Sequence, residues 1–192
     1  MTPESDKSSC FAFFNTAAFW EKIVLLVVTA LVSGIVIPLI LKQADESRAR
    51  RAAIVAAQEQ LYREASETML TLQTLALDVS WYGTSQAKDE DNQRRAYSRY
   101  SDRVVELVAR WRVQIARAKS LTSPDIANKL AQMLHTFFKV QDTPMVHAWK
   151  TCSTKCDWEE LHQHNEVQLG ATSALIEELA RDLGLIRESP SK

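Results

Sequence analysis

The sequence predicts an all-α protein, in which a single N-terminal transmembrane helix is followed by an antiparallel four-helix bundle with coiled-coil-like packing. Three observations lead to this prediction. Residues 23–41 form an uncharged apolar run, and the remaining chain repeats apolar residues at spacings of three and four. Only four glycines and five prolines occur in 192 residues, which is typical of a helical chain.

The apolar run from Ile23 to Leu41 is the predicted membrane span. As a helix, its nineteen residues would extend about 28 Å, close to the ~30 Å hydrocarbon core of a bilayer. The run lacks a polar face, and we expect the hydroxyls of Thr29 and Ser33 to bond back to carbonyls of their own helix. Pro38 should kink the helix, which membrane helices tolerate. A cleaved signal peptide is the alternative, but the run is long and a charged segment follows it, so we expect the anchor to be retained.

The chain divides into four predicted segments: a short disordered or interfacial N-terminus (residues 1–15), the transmembrane helix (16–42), the bundle domain (43–185) and a flexible tail (186–192). Four cations follow the apolar run closely, whereas two precede it. Because cytoplasmic flanks carry the excess of Lys and Arg, we expect a cytoplasmic C-terminal body on a single-pass protein of a bacterial inner membrane.

Four amphipathic helices are predicted in the bundle domain. The first runs from residue 43 to 82 and ends at Gly83, and the second spans 93–121. The third begins at the Ser123–Pro124 cap and is interrupted at Thr143–Pro144, after which a short helical piece is expected to continue through Trp149. For the last, Asp157 and Glu160 resemble a capping box, and Gly184 is the expected stop. The expected core faces contain Ile54, Val55, Leu61, Met69, Leu72, Val79, Tyr100, Leu107, Trp111, Leu130, Phe137, Trp158, Ile176 and Leu179, with Trp81 and Trp149 also assigned to the core.

Charge is distributed very unevenly between two of these helices. Residues 93–121 contain eight cations and two acids, whereas residues 157–183 contain seven acids and one cation. Either the two helices are neighbours in the bundle, or the basic helix binds an anionic partner such as lipid headgroups or an acidic protein. Nucleic acid is not expected as a partner, because the net charge is −1 and no reading motif occurs. The candidate interaction surface consists of Arg95, Arg99, Arg103, Arg110 and Arg117.

The chain has three cysteines, of which Cys10 precedes the predicted span. Our leading interpretation is that Cys152 and Cys156 are free thiols. A disulfide between them is an alternative that needs an oxidising compartment. A zinc site with His162 and His164 is a weaker alternative, because these histidines would point about 200° apart on a helix. We therefore expect no metal and no other cofactor.

Two small residues in the apolar run, Ala30 and Gly34, are four positions apart and therefore share a helix face. Small residues at this spacing let two membrane helices approach closely, so the pair is a candidate surface for anchor packing in a homodimer.

The sequence contains no G-x-S-x-G, phosphate-binding loop or H-E-x-x-H motif, and we expect no catalytic activity. In its plan alone the chain resembles the membrane-anchored bundle domains of bacterial sensors. We expect a membrane-anchored helical interaction protein, a scaffold or accessory subunit, whose partners are the bilayer and a second copy or another protein. The alternative is a small membrane-bound sensor, in which ligand, metal or redox state changes the helix packing.

Overall fold

The computed structural model describes residues 17–186, so the predictions for residues 1–15 and for the tail beyond Ile186 lie outside it. The described chain is helical and contains no strand. Its helices are α1 (Ala17–Leu31), α2 (Ile37–Trp81), α3 (Glu90–Leu121), α4 (Pro124–Phe137), α5 (Thr143–Cys152) and α6 (Glu159–Asp182). The prediction of an all-α fold is confirmed, and four helices pack together: α2, α3, the α4–α5 pair and α6.

The apolar segment belongs to a helix that continues without interruption from Trp20 to Trp81. This helix is long and apolar enough to cross a membrane, and none of its most apolar window is buried. The Thr29 hydroxyl donates to the Leu25 carbonyl over 2.7 Å, and the Ser33 hydroxyl donates to the Thr29 carbonyl, as predicted. The same helix also supplies the first of the four packed helices, so the apolar segment is not an element of its own. The chain divides into two compact units after Ala53.

A π-helical segment precedes each of the two prolines that lie inside a continuous helix. Val32–Val36 joins α1 to α2 just before Pro38, and Phe138–Asp142 joins α4 to α5 just before Pro144. Each segment ends in a wide turn, in which the residue before the proline donates to a carbonyl five positions back. Because proline cannot donate to the ladder, widening one turn lets the helix continue past it. The predicted interruption at Thr143–Pro144 is therefore wrong: the helical backbone runs through it.

The core of the bundle contains most of the predicted apolar positions. Leu61, Met69, Leu72, Val79, Tyr100, Leu107, Trp111, Leu130, Phe137, Trp158, Ile176 and Leu179 are all buried. The exceptions are Ile54 and Val55, which are exposed near the middle of α2, and Trp81 at its end, which retains 40% of its surface. Trp149 is half-buried and packs against the edge of the core. The apolar spacing in the sequence of α2 therefore starts earlier along the chain than the packed core, whose first residue is Leu61.

The helix ends follow local capping chemistry. The Ser123 hydroxyl accepts from the Ile126 amide, as expected, and Asp89 accepts from the Asn92 amide, so α3 starts three residues earlier than predicted. Only half of the predicted capping box of α6 is present: Asp157 accepts from the Glu159 amide, and no bond from Glu160 is found. Gly184 ends α6 with a φ of +70°, as the sequence indicated.

Candidate functional site

The candidate interaction surface on α3 is solvent-exposed, and part of it faces α2. Arg99 pairs with Asp78 at 3.3 Å, and Arg117 pairs with Glu64 at 2.8 Å. Such exposed pairs contribute about 0.2–1 kcal/mol each, so they bias helix pairing more than they stabilise the fold.

Within the described part of the chain, the other three arginines of this surface are not bonded to another helix. Arg110 pairs with Glu106 of its own helix at 2.5 Å, and Arg95 donates to the Asn92 side chain at 2.9 Å. Arg103 is exposed and has no ion-pair partner among the described residues.

The interpretation that α3 and α6 neutralise each other does not hold. Across the described range, no salt bridge or side-chain hydrogen bond joins these two helices. The acids of α6 are used elsewhere: Glu178 pairs with Lys129 of α4 at 2.7 Å, and Asp182 accepts from the Ser123 amide at 2.8 Å. The hydrogen bond from Lys129 to Glu178, with a second one to Asp125, raises the pKa of that lysine.

A groove of about 350 Å³ lies between α2 and α3. Arg103, Arg110 and Arg117 line it from α3, and Glu64 and Glu67 line it from α2. Its lining therefore carries both signs of charge, and three of the five candidate arginines meet there. The remaining two, Arg95 and Arg99, lie towards the start of α3 and do not line it.

Beside this groove, Gln114 is 4% exposed and donates to the Thr68 hydroxyl at 3.1 Å. The Thr68 hydroxyl in turn donates to the Glu64 carbonyl at 2.7 Å. The Gln114 side-chain oxygen is buried and has no hydrogen-bond partner among the residues that the structure describes.

A layer of buried polar side chains crosses the bundle. Gln141, in the π-helical segment, donates to Gln73 at 2.7 Å and to Asn165 at 3.0 Å. Asn165 donates to Ser80 at 3.0 Å, and Ser80 lies 3.1 Å from the His162 ring nitrogen. This chain of bonds links α2, the π-helical segment and α6, so a shift of one helix would break several bonds at once.

A second polar link joins α3 to the same π-helical segment. The Tyr100 hydroxyl donates to the Asp142 carboxylate, and the tyrosine is almost fully buried. Burial, reinforced by this bond, raises the pKa of Tyr100 far above its usual value of 10.0.

Cys152 and Cys156 are joined by a disulfide, so the interpretation as free thiols is wrong. The bridge closes the connection between α5 and α6, and its Cα atoms are 5.2 Å apart. The enclosed Ser153 has a φ of +52°, which is unusual for a residue with a side chain, and its carbonyl accepts from the buried Trp158 indole.

The weaker zinc alternative is not supported by this geometry. The two sulfurs bond each other, His162 is buried beside Ser80, and His164 is exposed. Within residues 17–186, no group of three or more potential metal ligands is found.

In the apolar segment, Ala30 lies in α1 and Gly34 in the π-helical segment that follows. Ala30 is exposed, and a Cβ added at Gly34 would meet nothing within 4 Å. The pair is therefore accessible to another helix.

Comparison of the chain with protein-family models, with curated proteins and with solved structures finds no match.

The buried polar residues are what sequence reasoning missed. Glutamine and asparagine are usually exposed, so their burial goes against the general trend. The spacing of the buried positions in α3 could have indicated the burial of Gln114. This residue follows Trp111 by three positions and precedes Ala118 by four, which places it on the core face of the helix.

Proposed function

We propose that this chain is a single-pass membrane protein whose helical bundle acts as an interaction module, a scaffold or accessory subunit without chemistry of its own. One observation carries the proposal: an apolar helical segment, exposed all round, continues into a helix of a well-packed bundle. An exposed apolar surface of this kind is stable in lipid and costly in water.

For the bundle itself we propose an antiparallel arrangement with coiled-coil-like packing. The order of cross-helix bonds supports it: Thr68, Glu64 and Gln58 of α2 bond in turn to residues 114, 117 and 121, so one helix descends as the other rises. The pairs between α2 and α6 run in the same opposed sense, with Ser80 beside His162 and Ala76 beside Asn165. Alternating directions and mostly short connections are typical of up-and-down bundles.

Membrane anchoring is tested by placing charge inside the apolar segment. Lysine at Val28 and Leu31 should release the chain from carbonate-washed membranes, because each buried cation costs about 2.5–3.5 kcal/mol at the centre of a membrane helix. Lysine at the exposed Arg48 is the matched control and should leave the chain in the membrane pellet. Retention of the double variant in the membrane would contradict the proposed span.

The proposed interaction surface comprises the exposed arginines of α3, and its test avoids those that line the groove. Full-length protein extracted gently from its own membrane should migrate on native gels as a complex larger than the monomer. Reversal of Arg95 and Arg99 to Glu should reduce it to a smaller species, while Arg48→Glu should not. Migration of the wild-type chain as a monomer would contradict the proposal.

For orientation, the cation excess after the apolar segment supports a cytoplasmic body. The Cys152–Cys156 bond supports the opposite side, because cytosolic thiols are kept reduced. An export-dependent reporter fused after Lys192 separates the two: an inactive reporter supports the cytoplasmic body, and an active one overturns it.

A second candidate function, a redox sensor, is favoured by this disulfide. Cys152 is exposed and so is open to a dithiol reductant, which would leave two thiols and itself become a disulfide. In the cytosol such bonds are usually transient and regulatory. Acid-quenched cells treated with a mass-tagging maleimide should show a mixture of both forms that shifts with added oxidant, in a Cys10→Ser background. A fixed redox state under all conditions would exclude the sensor.

A further inference from the structure

A second groove, of about 380 Å³, lies between α3 and the π-helical segment Phe138–Asp142, and we call it the apolar groove. Its volume falls within the range of roughly 300–1,000 Å³ that small-molecule sites occupy. It lies entirely within the bundle unit, so its geometry does not depend on the apolar segment. Two of its seven lining residues are the charged Arg112 and Asp142, and the other five are apolar: Val104, Val105, Val108, Ala109 and Phe138.

The apolar lining on α3 is open to water. Val105 is 76% exposed, the largest exposed fraction among the large apolar residues of the bundle. Val104 and Phe138 beside it are only partly buried. Residues 104, 105, 108 and 109 follow one another at spacings of three and four on a single helix face. They form a continuous apolar strip, which gains free energy when an apolar ligand covers it.

The two charged residues lie at opposite ends of the apolar groove. Tyr100 donates its hydroxyl proton to Asp142, and Tyr100 precedes Arg112 by about three turns of α3. The Asp142 carboxylate is thus already hydrogen-bonded. Arg112 is exposed and forms no ion pair with any described residue. One end of the groove therefore offers a free cation, and the other end already carries a negative charge.

We propose that the apolar groove binds a single-chain alkyl carboxylate, a fatty acid of medium length. The ligand carboxylate pairs with the Arg112 guanidinium, whose planar fork suits two parallel hydrogen bonds. The alkyl chain covers Val105 and Ala109 and lies against Phe138. From Arg112 back to Val105 the helix rises about 10.5 Å, a distance that an extended chain of about eight to ten carbons covers. The negative Asp142 at the far end accepts a methyl terminus nearby but repels a second carboxylate.

The test is photolabelling of the full-length chain in nanodiscs with decanoic acid that carries a diazirine near its methyl end. Acid dissolved in the bilayer will label the apolar segment, whereas acid in the groove should label Val104, Val105 or Phe138 saturably. Unlabelled acids at equal free concentration should compete for the groove label about twofold better per added methylene, from hexanoate to decanoate. A fully buried methylene contributes about fourfold, and here one side of the chain stays in water. Dodecanoate should compete no better than decanoate, because the groove is then full.

Two further competitors test the ends of the ligand. Decanol lacks the charge that Arg112 recognises, and decanedioate brings a second carboxylate to Asp142. Each should compete about threefold more weakly than decanoate, or worse.

Arg112→Gln and Val105→Asn should each raise the half-saturating concentration of decanoate about threefold or more. Lys119→Gln and Val113→Asn are the matched controls, because they make the same kinds of change at exposed positions of α3 outside the apolar groove. Both controls should bind decanoate like the wild type. All four positions are exposed, so circular dichroism should show wild-type unfolding for every variant.

The proposal is overturned if the label is confined to the apolar segment, or if either groove variant binds decanoate like the wild type. Competition that keeps rising with chain length beyond decanoate would also overturn it, since that pattern reports partition into the bilayer. Decanol competing as well as decanoate would show that no carboxylate is recognised, and would equally refute the site.

Discussion

Gly83 lies where the end of α2, the start of α3 and the residue before α6 meet. A Cβ at this position would overlap the Gln93 side-chain nitrogen and the ring of Trp158, and that ring is completely buried. Gln93 is also fixed, because its amide donates to the Val79 carbonyl at 3.1 Å. Glycine just after the end of α2 is thus required for close packing.

We therefore expect Gly83→Ala to lower the free energy of unfolding by about 1–3 kcal/mol, since a methyl group must be forced into a filled core. Gly170→Ala is the matched control. Gly170 lies within α6, where an added Cβ meets nothing within 4 Å, so alanine there should stabilise by about 0.5–1 kcal/mol. Urea unfolding in mild detergent measures both, and equal effects of the two substitutions would refute this account of Gly83.

The disulfide closes a very short loop, with a sequence separation of four. The gain from restricting the unfolded chain is therefore small, about 2 kcal/mol. Replacing both Cys152 and Cys156 with Ser, in a Cys10→Ser background, should lower the unfolding free energy by that amount. Adding reductant to the Cys10→Ser protein should have the same effect. If reductant changes nothing, then the cysteines are not paired in the folded protein.

At the residue scale, the sequence predicted the apolar core far better than the polar interior. Large apolar residues at helical spacing are stable only in the packed core, so the burial of Trp111 and Phe137 was predicted correctly. Gln73 and Gln141 were not, because a polar residue is buried only where a partner on another helix satisfies it. Likewise, a C-x-x-x-C spacing fits a disulfide, a metal site or free thiols, and only the backbone geometry distinguishes them.

At the scale of helices and turns, the two prolines within helices follow the same rule. Pro38 and Pro144 each follow a π-helical segment, and the helix continues beyond both. The sequence indicated a break at Pro144 because proline usually ends or kinks a helix. It could not indicate a widened turn, since the residue types alone do not show whether the backbone ladder before a proline closes over four or five positions. The positions of the helices themselves followed from their apolar period.

The start of α3 depends on the ionised form of Asp89. Its carboxylate accepts from the Asn92 amide, and this bond lowers the pKa of Asp89 below its usual value of 3.8. Because the pKa is lower in the folded state, the cap stabilises α3 fully when the pH is above the usual pKa of aspartate. This stabilisation is lost as the pH falls through the folded-state pKa. Between pH 5 and pH 2, unfolding midpoints should therefore decline more steeply for the wild type than for Asp89→Asn.

Asparagine is a suitable comparison for this measurement, because it caps helices well and does not titrate in this range. Ser123→Ala serves as a second control, since it removes the cap of α4 without adding or removing a titratable group. It should lower stability by about 0.5–2 kcal/mol at every pH. Parallel pH profiles for wild type and Asp89→Asn would show that this carboxylate does not cap α3.

At the scale of the whole molecule, charge proved harder to place than hydrophobicity. The sequence gives the sum of charges on each helix, and α3 and α6 are nearly mirror images. It does not give their positions in the bundle. Both helices bond to α2, and both pack against α4. The carboxylates that pair across helices with arginines of α3 are therefore those of Asp78 and Glu64 in α2. Among the described residues Arg103 is left without an ion-pair partner, which is a consequence of arrangement and not of composition.

The two small residues of the apolar segment lead to a prediction about assembly. Within one chain, Gly34 has open space around its Cβ position, and Ala30 is exposed. An added Cβ at Gly34 therefore meets no described atom of the same chain, so weaker self-association of a leucine variant points to a neighbouring chain. If two copies pack through this face, their backbones approach at Gly34, where a large side chain cannot be accommodated.

We expect Gly34→Leu to weaken self-association of the full-length chain in its membrane, measured by energy transfer between copies labelled with different fluorescent proteins. Overpacking of a close helix contact costs about 1–3 kcal/mol, which weakens the dimer by roughly fivefold to over a hundredfold. Val28→Leu is the control, because it adds one methylene on the opposite side of the helix. Energy transfer that is unchanged in Gly34→Leu, or reduced equally in both variants, would mean that this face does not hold the copies together.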